Sequence, residues 1–190
     1  MVGSKYYSLD EAIDLIDNPN RDVCKSVLEK EAQVFIVARG SKTKHQAWEG
    51  GYLDHIIETM NLAILFYDSL SSTGRPLGFS LSDTLLVMFL HDLEKPFKQL
   101  RGEELGLIDS SGKKYDLVIK DYREILFERY GFKLSEDHLK TIRYVEGENK
   151  DYDPRLRVMT ELSAFCHMCD IWSARGWYNF PKREGDSWKK

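Results

Sequence analysis

The sequence predicts an all-α fold, a single bundle of at least five helices, and three observations carry that expectation. Leu53, Ile56, Ile57, Met60, Ala63, Ile64 and Leu65 follow the helical period, so 51–72 reads as one long amphipathic helix. Helix-opening side chains precede other apolar runs: Ser80 and Asp83 form S-x-x-D before LLVMFL, and Ser135 opens a later segment. Glycines close the periodic stretches, with Gly131 behind 117–130 and Gly176 behind the last one.

The elements follow in order. Residues 10–18 and 21–31 read as short helices, the second with Val23, Val27 and Leu28 as its apolar face. QVFIVARG reads as a short strand or the end of a helix. After the long helix, SSTGRPLG breaks the pattern, and the capped segment from Leu81 is expected to end near Glu94, because Pro96 disfavours a helical Lys95. GEELGLIDSSGKKYD reads as a surface loop or small hairpin. Helices are expected at 117–130 and 135–145, and after EGENKDYD a long one from Pro154 to Arg175. The core is expected at about 45–176, and PKREGDSWKK within 177–190 reads as a loose tail.

A chain of 190 residues fits one domain, and 42% hydrophobic with 31% charged residues is the balance of a folded protein with a core. The net charge of −4 and the dispersal of 27 basic residues argue against a broad nucleic-acid or acidic-membrane surface. An anionic substrate must be held locally. Cys24, Cys166 and Cys169 are odd in number and no secretory leader pattern is seen, so a reducing, cytoplasmic setting is expected. The longest apolar stretch falls short of the ~20 residues that span a bilayer. The C-x-x-C spacing of Cys166 and Cys169 lacks a second pair, so both read as small buried side chains.

The chemistry-bearing residues are His55 on the long helix, His91 and Asp92 at the end of the next, and Asp170 on the last. Imidazole nitrogens and carboxylate oxygens drawn from several helices are how bundles build sites for a divalent ion such as Mn²⁺, Mg²⁺, Co²⁺, Fe²⁺, Ni²⁺ or Zn²⁺. Each histidine alone is as readily an ordinary hydrogen-bonded core residue. A buried aspartate beside one is harder to explain that way, because an unpaired buried charge is costly.

The pattern H…HD…D, with GGYLDHI, FLHDLEK and HMCDIWSAR around its members, resembles the HD-domain metal-dependent phosphohydrolase superfamily over about 45–175. The blocks are most similar to the branch that includes bacterial 3′-5′ exoribonucleases of the YhaM type. The resemblance implies His55, His91, Asp92 and Asp170 as ligands. Two-metal members carry further histidines where this chain has IRYVEGEN, so one ion per site is expected. Such an ion lowers the pKa of water and neutralises a phosphoryl group under attack.

Asp92, Lys95 and Glu146 are the residues expected to share in that chemistry. Lys95, three residues after Asp92, projects toward a bound phosphate or simply closes a helix, and Glu146 is a further ligand, a base or a solvated helix-end acid. His45 resembles an extra histidine of the YhaM-type block and reads as a phosphate contact, a support behind the ligands, or ordinary surface. Trp48, Tyr52 and Trp172 read as a base-stacking slot or as core, and Arg175 as a phosphate contact or the partner of an acid. His167, three residues before Asp170 and with a counterpart in the same block, is expected to support the site from behind the ligands. His138 reads as surface, or as a distant ligand of a second ion.

The function implied is a phosphohydrolase acting on a small-molecule nucleotide: a nucleotidase on nucleoside monophosphates, or an enzyme hydrolysing (deoxy)nucleoside triphosphates. The alternatives are a phosphodiesterase or 3′-5′ exonuclease on oligonucleotides or cyclic nucleotides, weakened by the lack of an OB-type domain and a basic stripe, and a silent nucleotide or metal sensor. The resemblance allows a homodimer.

Overall fold

The computed structural model describes residues 5–111, 113, 116–182 and 184–189, with the side chains of 116–121 excepted. The residues of GEELGLIDSSGKKYD at 112, 114 and 115, and Arg183 and Lys190 of the tail, lie outside them. Among the described residues the chain is helical and contains no strand: α1 (Leu9–Ile13), α2 (Asn20–Lys30), α3 (Ala32–Val37), α4 (Gly51–Ser71), α5 (Leu81–Leu90), α6 (Glu94–Arg101), α7 (Asp116–Tyr130), α8 (Glu136–Tyr144) and α9 (Glu161–Ile171). The all-α expectation is met. No helix among the described residues is long and apolar enough to cross a membrane.

α4 is the central element. It packs against α5 and α9, while α1 and α3 cover another side; α8 pairs with α9 and leans on α5, and α6 sits between α3 and α7. The buried cluster runs from Ala12, Ile13, Val27 and Phe35 through Met60, Leu90 and Phe97 to Cys169, so the core reaches well before residue 45. The three cysteines are all free and buried, as expected of small apolar side chains.

Local chemistry explains the starts of these helices. Ser8, Ser80 and Ser135 each accept from the amide three residues on, in reciprocal capping boxes completed by Glu11, Asp83 and His138. α4 begins at Gly50-Gly51 for steric reasons: Gly50 has φ +77°, and a Cβ on Gly51 would lie 1.8 Å from the Gln46 carbonyl oxygen.

Of the two readings of QVFIVARG, the helix end holds, since α3 closes at Val37 and the ARG that follows is non-helical. Three expectations are corrected. The helix after Ser80 stops at Leu90, and a new helix restarts at Glu94 with Pro96 inside its first turn, where a missing N–H removes no intrahelical bond. The last helix starts at Glu161, where Thr160 accepts from the Ser163 amide; upstream, Asp153 accepts from the Arg155 amide and closes a turn at Pro154. The tail is packed: Trp177 meets Phe180 and Trp188 at ring-centroid distances of 5.8 and 5.6 Å, and the Gln46 amide donates to the Phe180 carbonyl.

Candidate metal centre

The site forms where α4, the α5–α6 junction and α9 meet. His55 Nε2 lies 3.3 Å from His91 Nε2 and 3.2 Å from Asp170 Oδ1. His91 Nε2 is 3.7 Å from that same oxygen, and Asp92 Oδ2 stands 3.8 and 3.6 Å from the two imidazole nitrogens. Ligand atoms placed 2.0–2.1 Å from one tetrahedral ion are about 3.3 Å apart, so these edges fit a shared divalent cation. His55, His91 and Asp170 thus form a group that could hold a metal ion.

Consecutive residues on a regular helix point about 100° apart. After His91 the α-helical bonding lapses, and the Leu93 and Lys95 amides donate to the carbonyls three residues back, those of Leu90 and Asp92. The His91 ring and the Asp92 carboxylate close the angle between them with their side chains, Oδ2 standing 3.6 Å from His91 Nε2.

Groups behind the ligands orient them. His91 Nδ1 donates to the Met88 carbonyl at 2.8 Å, which turns Nε2 toward the cluster. His55 Nδ1 meets Ser173 Oγ at 3.1 Å, and the buried Gln46 amide donates to that hydroxyl at 3.3 Å. Ser173 lies in the π-helical turn (Trp172–Gly176) that follows α9, three residues after Asp170. Gln46 and Ser173 carry no sequence signal beyond their spacing from His45 and Asp170.

The electrostatics is that of a concentrated anionic pair balanced by cations. Burial opposes the Asp92 charge, but the Lys95 ammonium, 2.5 Å from Oδ2, and the nearby imidazoles hold its carboxyl below the usual range. Burial likewise disfavours a charged His91, yet Asp92 and Asp170 push it up to about 9. For Asp170 the imidazole hydrogen bonds outweigh burial and hold the carboxyl well below the ordinary value. Lys95 also reaches Glu146 Oε1 at 3.3 Å, with Glu146 mostly exposed.

The remaining sequence candidates divide. The His45 ring stands 4.7 Å from that of His55 and donates to Gln46 Oε1 at 2.9 Å; burial, then the neighbouring His55, lowers it to about 4. His167 donates to the Val145 carbonyl at 2.6 Å, so it steadies the turn bearing Glu146 without touching a ligand. The stacking slot is not formed. Tyr52 is 2% exposed against Phe35, the Trp48 indole donates to Asp54 at 2.7 Å, and Trp172 stands exposed beside Trp177. Arg175 is exposed on the π turn. His138 is buried and structural: Nδ1 accepts from the Ser135 amide and Nε2 donates to Asp83 at 2.9 Å, tying α8 to α5. Glu94, which the sequence left without a role, is buried with Oε2 lacking a hydrogen-bond partner among the described residues.

The fold and site define a helical bundle with a buried histidine and aspartate cluster suited to a metal ion. Comparison with known proteins found no matching family model, no matching curated protein and no matching solved structure.

Proposed function

We propose that the chain is an HD-type, metal-dependent phosphohydrolase whose substrate is a nucleotide, either a nucleoside monophosphate or a (deoxy)nucleoside triphosphate. The observation that carries the reading is the meeting of His55 Nε2, His91 Nε2 and Asp170 Oδ1 within 3.7 Å of one another, with Asp92 and Lys95 alongside. A bound divalent ion would activate water and offset the charge of the phosphoryl group.

The chain's own residues supply the rest. The contacts of Nδ1 with the Met88 carbonyl and the Ser173 hydroxyl turn both Nε2 atoms inward. Asp92 is the fourth ligand in this reading. Lys95 spans Asp92 and the exposed Glu146, which puts an ammonium at the edge of the cluster where an incoming phosphate oxygen takes it as a partner. Glu146 is the carboxylate placed to exchange a proton with solvent, and the His45 ring closes the His55 side.

The test is phosphate, pyrophosphate or triphosphate release by metal-stripped protein resupplied separately with Mn²⁺, Mg²⁺, Co²⁺ or Zn²⁺. The panel holds all ribo- and deoxynucleoside mono- and triphosphates. His91→Ala and Asp92→Ala should lose bound metal and turnover together while keeping their helix content. Normal turnover in either variant overturns the mechanism, and cleavage of oligonucleotides alone overturns the substrate.

A further inference from the structure

A cavity of 290 Å³ opens between α4 and the chain that follows α9. Its walls include Glu58 and Leu65 from α4 and Trp177, Phe180, Asp186 and Trp188 from the C-terminal segment. Glu58 stands one helical turn after His55 and is outside the metal cluster. The rings are inclined to one another, with Trp177 and Trp188 at 67° and Trp177 and Phe180 at 54°. Tyr6 packs edge-on against Trp188 at 5.2 Å and donates its hydroxyl to Glu58 Oε2 at 2.8 Å.

Two features of this cavity ask for the same ligand charge. Aromatic faces carry a negative quadrupole that attracts cations, most strongly where water is excluded. Glu58 is 1% exposed, and a carboxylate buried among apolar walls is unfavourable without a balancing positive charge. Burial pushes that carboxyl up to about 7, against the pull of the Tyr6 hydroxyl. Among the described residues, Asp186 and Asp54 raise it further and the Lys189 ammonium lowers it. The Lys189 ammonium sits 5.6 Å from the Tyr6 ring centroid, so a cation of this chain already packs on an aromatic face nearby.

We propose that the cavity is a binding site for a small organic cation, an ammonium substituted with methyl or methylene groups. Three aromatic rings and Leu65 make most of the wall apolar, which suits a cation that carries carbon substituents, and the two carboxylates repel phosphates and other anions. A volume near 290 Å³ is at the lower end of small-molecule sites, which start at about 300 Å³, so the ligand is compact. Substituents on the nitrogen fill the apolar walls while the charge faces Glu58.

The experiment is a titration of the whole chain with choline and with 3,3-dimethylbutan-1-ol, its uncharged analogue, followed by tryptophan emission and calorimetry. Neither readout depends on turnover, so the result stands apart from the proposed phosphohydrolase activity. Choline should bind saturably, and the neutral analogue about tenfold or more weakly. Glu58→Gln, which keeps an acceptor for Tyr6, should lose about tenfold in choline affinity with its circular dichroism unchanged. Asp186→Asn is the second variant, with a smaller loss in the same direction. Equal binding of the two probes, unchanged affinity in Glu58→Gln, or no saturable choline binding overturns the proposal. The comparison of probes on the native chain holds even if a variant fails to fold.

Discussion

Lys95→Met tests the charge balance of the cluster directly. The ammonium lies 2.5 Å from Asp92 Oδ2, with 20% of the lysine side chain and 3% of the aspartate side chain exposed. At an effective dielectric constant of about 20, a pair at that 2.5 Å separation attracts by about 7 kcal/mol before desolvation is counted. Desolvation of the two ions cancels most of this, but methionine leaves Asp92 buried without its nearest cation, a change that typically costs about 3–5 kcal/mol. His91, 3.6 Å from the same oxygen, compensates in part, so the lower end of that range is expected. Glu146, with 64% of its side chain exposed, adds little because water screens it.

Urea unfolding in the presence of a chelator should therefore show a loss of about 3 kcal/mol for Lys95→Met. Saturating Mn²⁺ should reduce the deficit to below about 1 kcal/mol, because a cation held by Asp92 replaces the missing charge. A double-mutant cycle with Asp92→Asn should give a coupling of at least about 2 kcal/mol. A chelator-state loss smaller than about 1 kcal/mol, or a deficit that Mn²⁺ leaves unchanged, refutes the reasoning.

Two stability predictions follow from other parts of the fold. Glu58 has a folded-state pKa raised by burial from 4.5 to about 7, so its protonated form is favoured by folding, and the stability it contributes below 4.5 is lost as pH rises through 7. Glu58→Gln should match the native chain in acid and exceed it above pH 7 by up to about 3 kcal/mol in chemical denaturation; an equal stability at both extremes contradicts the shift. Ser80→Ala removes the capping box at the start of α5 and should lower stability by about 1 kcal/mol, measured as a shift in urea midpoint at constant slope.

Local signals carried most of the helices. The apolar repeat of 53–65 located α4, and Ser80 and Ser135 located α5 and α8, because capping and periodicity involve residues within a few positions of one another. Pro96 misled for a definite reason. It reads as a stop at Glu94, yet inside the first turn of α6 its missing N–H removes nothing, and the true interruption at 91–93 bears no Gly or Pro. The tail reads as polar because its partners are remote: Gln46 bonds to the carbonyls of Trp177 and Phe180 more than a hundred positions away. The metal cluster combines three separated segments, so only the family resemblance joined His55, His91 and Asp170 in advance. Of the two readings of the aromatics, Tyr52 takes that of core, because it faces Phe35 in the α4 register, while Trp48 is held at the helix start by Asp54.

Apart from His55, which lies within α4, the candidate ligands stand where regular helix gives way to something else. His91 and Asp92 occupy the short turn between α5 and α6, and Asp170 lies one residue from the end of α9, just before the π turn. In that turn the Trp177 amide donates to the Trp172 carbonyl five residues back, and the widened backbone includes Ser173, whose hydroxyl meets His55. A chain lacking the π turn would give His55 no hydroxyl at this position. The π turn gives up regular hydrogen bonds, and its backbone places a hydroxyl that the cluster uses. Ser173→Ala is therefore a more telling perturbation than deleting a ligand: it removes that hydroxyl without shifting Trp177 and Phe180, so the bundle should stay folded while metal binding weakens through His55. Unchanged metal affinity in Ser173→Ala, measured by competition with a chelating dye, would show that the π turn has no part in holding the site.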